Sequence, residues 1–352
     1  MKNQSRILVL ALLTGALVIG CTKNDNNKLT LKQSVDQSAL NLNTAMKDIT
    51  ASKAYSIFTV NDGMLKSGTS TDSFRVYIPL EKIKGVFDYQ PVEKRDHMGR
   101  SVIRFFNMTA DNSQMIVRMP LSKVTNPRKL RHYSPEDTLL TNNFSIAVSE
   151  YHNNYNSYHD FDYALTSAIS VDNVFAGNLD IKSVVNRTEG THYASQYAFD
   201  ASYTAKYKYD SGDTTVSSFS ITGDDKLLYQ EKLLTIKNDT SRFGREHLYI
   251  LTIGNVEIAR NLEKKTVEIS VDGILQPNAT VTIIDKDEDD EVSVCKKRDV
   301  QITFEDGTTT TVSALIGESV ADIKTLFDSL HQVYFAAYVV DWIAYDIYYQ
   351  RN

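Results

Sequence analysis

The sequence predicts an α+β fold that is predominantly antiparallel β: an extended meander sheet, an N-terminal helix and a long C-terminal helix packed on the sheet. Three observations carry the prediction. Between residues 161 and 236, apolar residues recur at every second position, and each break in the alternation holds Gly, Asp or Asn. Between residues 35 and 54, Val35, Ala39, Leu42, Met46 and Ile49 stand at three- and four-residue steps with polar residues between them. After Ser319 the helical spacing returns in Ile323, Leu326, Phe327, Leu330, Val333, Tyr334 and Ala337.

At the N-terminus, Lys2 and Arg6 precede an apolar run from Ile7 to Ile19, broken only by Thr14 and Gly15; Gly20 and Cys21 follow. A membrane span needs about 20 apolar residues, so this run has the form of a secretory signal. The stretch Leu17-Val18-Ile19-Gly20-Cys21 resembles the lipobox of bacterial lipoproteins, in which aliphatic residues and a small residue precede a cysteine. The resemblance implies cleavage after Gly20 and acylation of the Cys21 thiol. Acyl chains contribute about 0.8 kcal/mol per buried CH₂, so two or three of them hold a protein durably at a membrane. The richness in Asn, Thr and Tyr is similar to that of envelope proteins of the Bacteroidetes. The expected location is the cell envelope, anchored at the outer membrane on its periplasmic or its surface face.

The expected organisation is a signal peptide at 1–20 and a lipidated tether at 21–33, too polar at its start to pack. Residues 34–158 then hold the first helix, short strands and Pro-rich loops. Residues 159–352 hold the meander and the last helix, as a second domain or as a continuation of the first. Cleavage takes the formal charge from −6 to −8 and leaves 332 residues, ample for a core. An acidic chain lacks the electrostatic footprint of a nucleic-acid binder. Of the two cysteines, Cys21 is assigned to the anchor, so Cys295 has no partner within the chain and no disulfide framework is expected.

After the first helix, residues 73–78 alternate Phe74, Val76 and Ile78 as a strand. Residues 101–108 and 114–119 are expected to pair as a hairpin about Thr109-Ala110-Asp111-Asn112. Five of the six prolines lie between Pro79 and Pro135, which makes this half rich in turns. The meander follows from Phe161, with turns at Thr188-Glu189-Gly190, Ser211-Gly212-Asp213 and Gly223-Asp224-Asp225. Further strands lie at 247–253, 255–260, 266–271, 280–284 and 300–304, and Glu305-Asp306-Gly307 turns the chain into 308–312. Ser319 with Asp322 has the spacing of a capping box and opens the last helix. Beyond Tyr334 the apolar residues spread round the helix, while Asp341 and Asp346 stop it from forming a membrane span. Tyr334, Tyr338, Trp342 and Tyr345 are therefore expected to be buried against the meander.

Three stretches offer chemistry. Residues 151–163, YHNNYNSYHDFDY, are read as a polar loop in which Tyr151, Tyr155 and Tyr158, with His152 and His159, can stack on and hydrogen-bond a sugar. A metal is not expected there, because seven residues separate the histidines and no third ligand is placed by spacing. In residues 283–292, Asp285, Asp287 and Asp289 match the first three acidic positions of a calcium loop, but Asp290 replaces its Gly and Lys296 its Glu. Residues 123–133 carry Lys123, Arg128, Lys129 and Arg131, a basic loop able to touch lipid phosphates. There is no Gly-x-Ser-x-Gly, no phosphate-binding Gly loop and no His-Glu-x-x-His. No cofactor is implied. The function expected is a non-enzymatic, lipid-anchored module for an envelope protein or glycan. A carrier of hydrophobic ligands in an open half-barrel, and an enzyme whose carboxylates are gathered by folding, are the alternatives.

Overall fold

The computed structural model describes residues 29–58, 75–91, 103–124, 130, 135–199, 202–238, 244–285, 298–317 and 319–351. Its helices are α1 (Leu31–Ala51), α2 (Tyr55–Phe58), α3 (Leu121–Val124), α4 (Val312–Ile316) and α5 (Ser319–Arg351). Its first strands are β1 (Val76–Pro79), β2 (Gly85–Tyr89), β3 (Phe106–Ala110) and β4 (Met115–Met119). The long meander comprises β5 (Phe144–Ser157), β6 (Asp160–Val171), β7 (Val174–Asn186), β8 (Gly190–Phe199), β9 (Tyr203–Asp210), β10 (Thr214–Gly223), β11 (Lys226–Lys237) and β12 (Arg245–Ile253). It continues through β13 (Val256–Asn261), β14 (Thr266–Val271) and β15 (Ile274–Leu275), and β16 (Thr280–Asp285), β17 (Arg298–Thr303) and β18 (Thr309–Thr311) form a separate small sheet.

From β5 to β15 each strand pairs antiparallel with the next, as a period-two pattern punctuated by turn residues dictates. Asp172 and Asn173 have φ of 53° and 62°, and Asp224 and Asp225 have 47° and 60°. Positive φ at both central residues suits a two-residue hairpin turn, which is why Asp and Asn stand there. On β6, Tyr163, Leu165, Ser167, Ile169 and Val171 are all buried, so their shared face is the inner one. Residues 158 and 159 form the turn between β5 and β6, and the sheet runs through the division read from the sequence at that point.

The other edge differs from the sequence expectation. The strands around residues 109–112 do not form a hairpin with each other. Strand β2 lies between them, antiparallel to β3 and parallel to β4. Its burial explains why alternation failed to reveal it: Gly85, Val86 and Phe87 are buried in succession, so both faces are covered. Strand β5 then has its far edge shared by β4 along Phe144–Val148 and by β1 along His152–Tyr155.

Two helices cover the inner face. Helix α1 starts earlier than its periodicity suggests, because Thr30 and Gln33 make a reciprocal cap: Gln33 N donates to Thr30 Oγ1 at 3.2 Å, and Thr30 N donates to Gln33 Oε1 at 2.9 Å. Its Val35, Ala39, Leu42, Met46 and Ile49 stripe is buried, and the helix lies over β11 to β13. Helix α5 buries Leu326, Leu330, Ala336, Val339, Val340, Ile343, Ala344 and Ile347. The small residues among them let the helix approach closely. No helix among the described residues is long and apolar enough to cross a membrane.

Two details of α5 correct the sequence reading. Ser319 is the first residue of the helix rather than the cap before it, and its hydroxyl donates to Asn43 Oδ1 at 2.6 Å, tying α5 to α1. Tyr338, Trp342 and Tyr345 are half-buried rather than buried, because the stripe facing the core is the aliphatic one. Trp342 and Tyr345 pack partly against the core, with Tyr338 stacked on Trp342 at 6.2 Å between centroids and Tyr345 on Tyr349 at 6.3 Å. The side chain of Tyr334 lies outside the described residues.

Truncating the wholly buried Leu42 to alanine will destabilise the protein by about 2–5 kcal/mol in urea denaturation. The same change at Leu40, 60% exposed on the same helix, will stay within about 0.5 kcal/mol.

Candidate functional site

The stretch read as a polar loop is a hairpin, and the hairpin divides its residues among three places. Alternation sends Tyr151, Asn153 and Tyr155 to the inner face, His152 and Asn154 to the outer one, and leaves Tyr158 and His159 in the turn. The five residues singled out for ligand binding therefore do not form one site. His152 Nε2 lies 3.0 Å from Asp162 Oδ1 across the hairpin, on the exposed face.

On the inner face Tyr151 and Tyr163 converge on helix α5. The Tyr151 hydroxyl donates to Asp341 Oδ1 at 3.0 Å, and the Tyr163 hydroxyl donates to the same oxygen at 3.2 Å. The two rings meet edge to face with centroids 5.9 Å apart. Next to them Asn153 Nδ2 donates to the Tyr345 hydroxyl at 3.3 Å, while buried Asn153 Oδ1 has no partner among the described residues. Burial pushes the Asp341 carboxyl up to about 7, against the opposing pull of the two hydroxyls. The residue retains some accessible surface, but its carboxylate accepts from two side chains that are themselves buried, so the low-dielectric surroundings govern it. Burial, followed by the nearby Asp341 charge, holds both tyrosines well above their ordinary range, so they act as neutral donors. The arrangement binds α5 to the sheet.

The turn residues belong to a different feature. At the rim of the sheet the ends of β1, β5, β6 and β7 enclose a polar cavity of about 400 Å³. Arg75 enters from the start of β1, Asn156 and Ser157 from the end of β5, His159 and Asp160 from the turn and β6, and Asn186 with Arg187 from the end of β7. The strand register gathers them: Asp160 stands opposite both Ser157 and Asn186. Local bonds hold the walls. Asn156 Nδ2 donates to Asp160 Oδ2 at 3.2 Å, His159 N donates to Ser157 Oγ at 3.2 Å, and Thr188 N donates to Asn186 Oδ1 at 2.8 Å. Neither Arg75 nor Arg187 forms an ion pair among the described residues. Tyr158, 75% exposed, stands beside the cavity with its ring centroid 4.0 Å from that of His159. Sequence reasoning found His159 and Tyr158 but missed both arginines, because they lie far from them in the chain and only strand pairing unites them.

The remaining candidates fall elsewhere. Lys123 is not a free cation for lipid phosphates: it is buried and paired with Asp137 at 2.8 Å. Arg128, Lys129 and Arg131 lie outside the described residues, as do Gly20, Cys21, Asp287, Asp289 and Cys295. Asp285 ends β16, and its side chain is outside them too. Among the described residues no cluster of three His, Cys, Asp or Glu side chains is placed to hold a metal ion.

Burial lifts the Asp341 carboxyl above its unfolded value of about 3.9. The folded chain then holds an extra proton across the window from about pH 4 to about 7, and this group makes stability fall as pH rises through it. Asp341→Asn removes the titration, so the loss of unfolding free energy between pH 5 and pH 8 will be smaller in the variant than in the parent. An unchanged loss contradicts the assignment. Comparison of the chain with protein-family models, with curated proteins and with solved structures finds no match, so the functional reading rests on the geometry and the sequence.

Proposed function

We propose that the chain is a lipid-anchored, non-enzymatic binding module of the bacterial cell envelope, held at the outer membrane through acylated Cys21. The observation that carries the proposal is the stretch Leu17-Val18-Ile19-Gly20-Cys21 behind a positive start and an apolar run. A tether rich in Asn, Lys and Asp then connects the anchor to α1, which begins at Leu31. The ligand-facing feature of the module is the polar rim cavity, which stands open at the strand ends. A glycan or an envelope protein is the class of partner.

The interior supports a module over a carrier of hydrophobic ligands. A carrier needs an apolar cavity of a few hundred Å³. The apolar cavity between α1 and the inner face, lined by residues such as Val35, Ala39, Leu251 and Ile258, offers about 10 Å³. That is about the room of a single water, far short of what an acyl chain or another hydrophobic ligand needs. Helix α5 meets β5 and β6 through Asp341, and its Val340, Ile343 and Ala344 are wholly buried.

Cys21→Ala will move the protein from the membrane to the soluble fraction after a salt wash, and mass spectrometry of the parent will find a diacylated or triacylated cysteine at its mature N-terminus. A Cys21→Ala chain that stays with the membrane contradicts the anchor.

A further inference from the structure

We propose that the rim cavity binds a singly charged acidic saccharide, a sugar bearing one carboxylate, and this rests on the reading of the chain as a binding module. The charge of the walls selects the class. Arg75 and Arg187 contribute two positive charges and Asp160 one negative, a local excess of one on a chain whose formal net charge is −6. A single carboxylate neutralises that excess. The guanidinium fork presents paired N–H donors that match a carboxylate's two oxygens. Both guanidiniums are available, since neither has an ion-pair partner among the described residues.

The rest of the wall fits hydroxyls rather than a second charge or an acyl chain. Asp160 accepts, the Asn186 amide donates, and Asn156 keeps its carbonyl free to accept after donating to Asp160. A sugar ring carries hydroxyls that donate and accept in alternation, so it meets both kinds of group. The hydrogen phosphate dianion brings more charge than the excess of one that the walls carry, and it offers Asp160 a single P–OH donor where a sugar ring offers several hydroxyls. Lipid chains need apolar side chains in the walls, whereas the residues lining this cavity are Arg, Asn, Ser, His and Asp. Tyr158 projects from the same turn, with its ring backed by His159, and offers a flat apolar surface beside the opening of the kind that covers one face of a sugar ring. The volume of about 400 Å³ lies in the range of small-ligand sites.

The test uses the full chain in detergent micelles, with saturation-transfer NMR titrations for the sugars and phosphorus NMR line-broadening titrations for inorganic phosphate, which has no carbon-bound proton. The probes are glucuronic acid, galacturonic acid, N-acetylneuraminic acid, glucose and inorganic phosphate. At least one acidic sugar will bind saturably, and glucose and phosphate will bind at least about tenfold more weakly, as loss of a charged hydrogen-bonded pair requires. Arg75→Gln and Arg187→Gln will each weaken the acidic sugar by about tenfold or more. Lys237→Gln, at the far end of β11, will leave it unchanged. Both arginines are exposed, so circular dichroism will find the variants folded. Binding of glucose as tight as that of the acids, phosphate as the tightest probe, no acidic sugar bound, or affinity indifferent to both arginine variants each overturns the proposal. Membrane fractionation of the same preparations reads the anchor separately. Absence of sugar binding with the anchor intact removes the ligand class alone, whereas loss of the anchor removes the envelope reading.

Discussion

The apolar inner face of the meander must be covered, and α5 lies across the part that α1 does not reach. Phe327, near the start of α5, packs edge-on against Phe219 of β10 with centroids 5.4 Å apart. Asp341 meets Tyr151 and Tyr163 on β5 and β6. Between Phe327 and Asp341 the helix rises about 21 Å. From β10 to β6 the sheet extends about 19 Å, at about 4.8 Å per strand. The two lengths agree when the helix crosses the strands steeply, so one rigid element ties together strands that otherwise touch only their neighbours. Strands β5 and β6 run from Tyr151 and Tyr163 under the helix out to Ser157 and Asp160 at the rim, where the cavity stands.

Apolar burial alone does not fix how the helix sits along the sheet, because a stripe of Ala, Val and Ile can slide by a turn at modest cost. The two tyrosine hydroxyls sharing one oxygen of Asp341 supply the missing specificity. A shift of one turn would leave a carboxylate and two hydroxyls buried without partners, each costing about 1–3 kcal/mol or more. Neutral donors are well suited to this role. They satisfy the carboxyl in either protonation state without adding a second buried charge, which would bring its own desolvation cost.

How much of this was legible in the sequence depends on the range of the interaction. The meander and its turns were legible because alternation and turn chemistry act between adjacent residues. The existence of α1 and α5 was legible for the same reason. Strand β2 was not, because a strand covered on both faces shows no alternation and its parallel pairing with β4 leaves no turn signal. The burial of Lys123 was not, because its partner Asp137 lies 14 residues along the chain, beyond the reach of a helix or strand period. Trp342 was read as buried because the apolar residues beyond Tyr334 spread round a helix that cannot span a membrane, but small aliphatic residues are the wholly buried ones and the indole packs against them only in part. Neither the Tyr151–Tyr163–Asp341 cluster nor the rim cavity was legible. The first joins residues 190 positions apart, and the second depends on which strand ends fall side by side.

The account makes α5 a structural part of the sheet rather than a helix resting on it, and that claim has a direct measurement. Hydrogen exchange of the full chain, read by mass spectrometry, reports the opening free energy of each segment. Residues 336–347 of α5 should exchange as slowly as β5, β6 and β7, and should lose protection together with them as denaturant is added. Fast exchange through residues 336–347 while β5 to β7 stay protected would show that the sheet stands without its helix and would contradict the account.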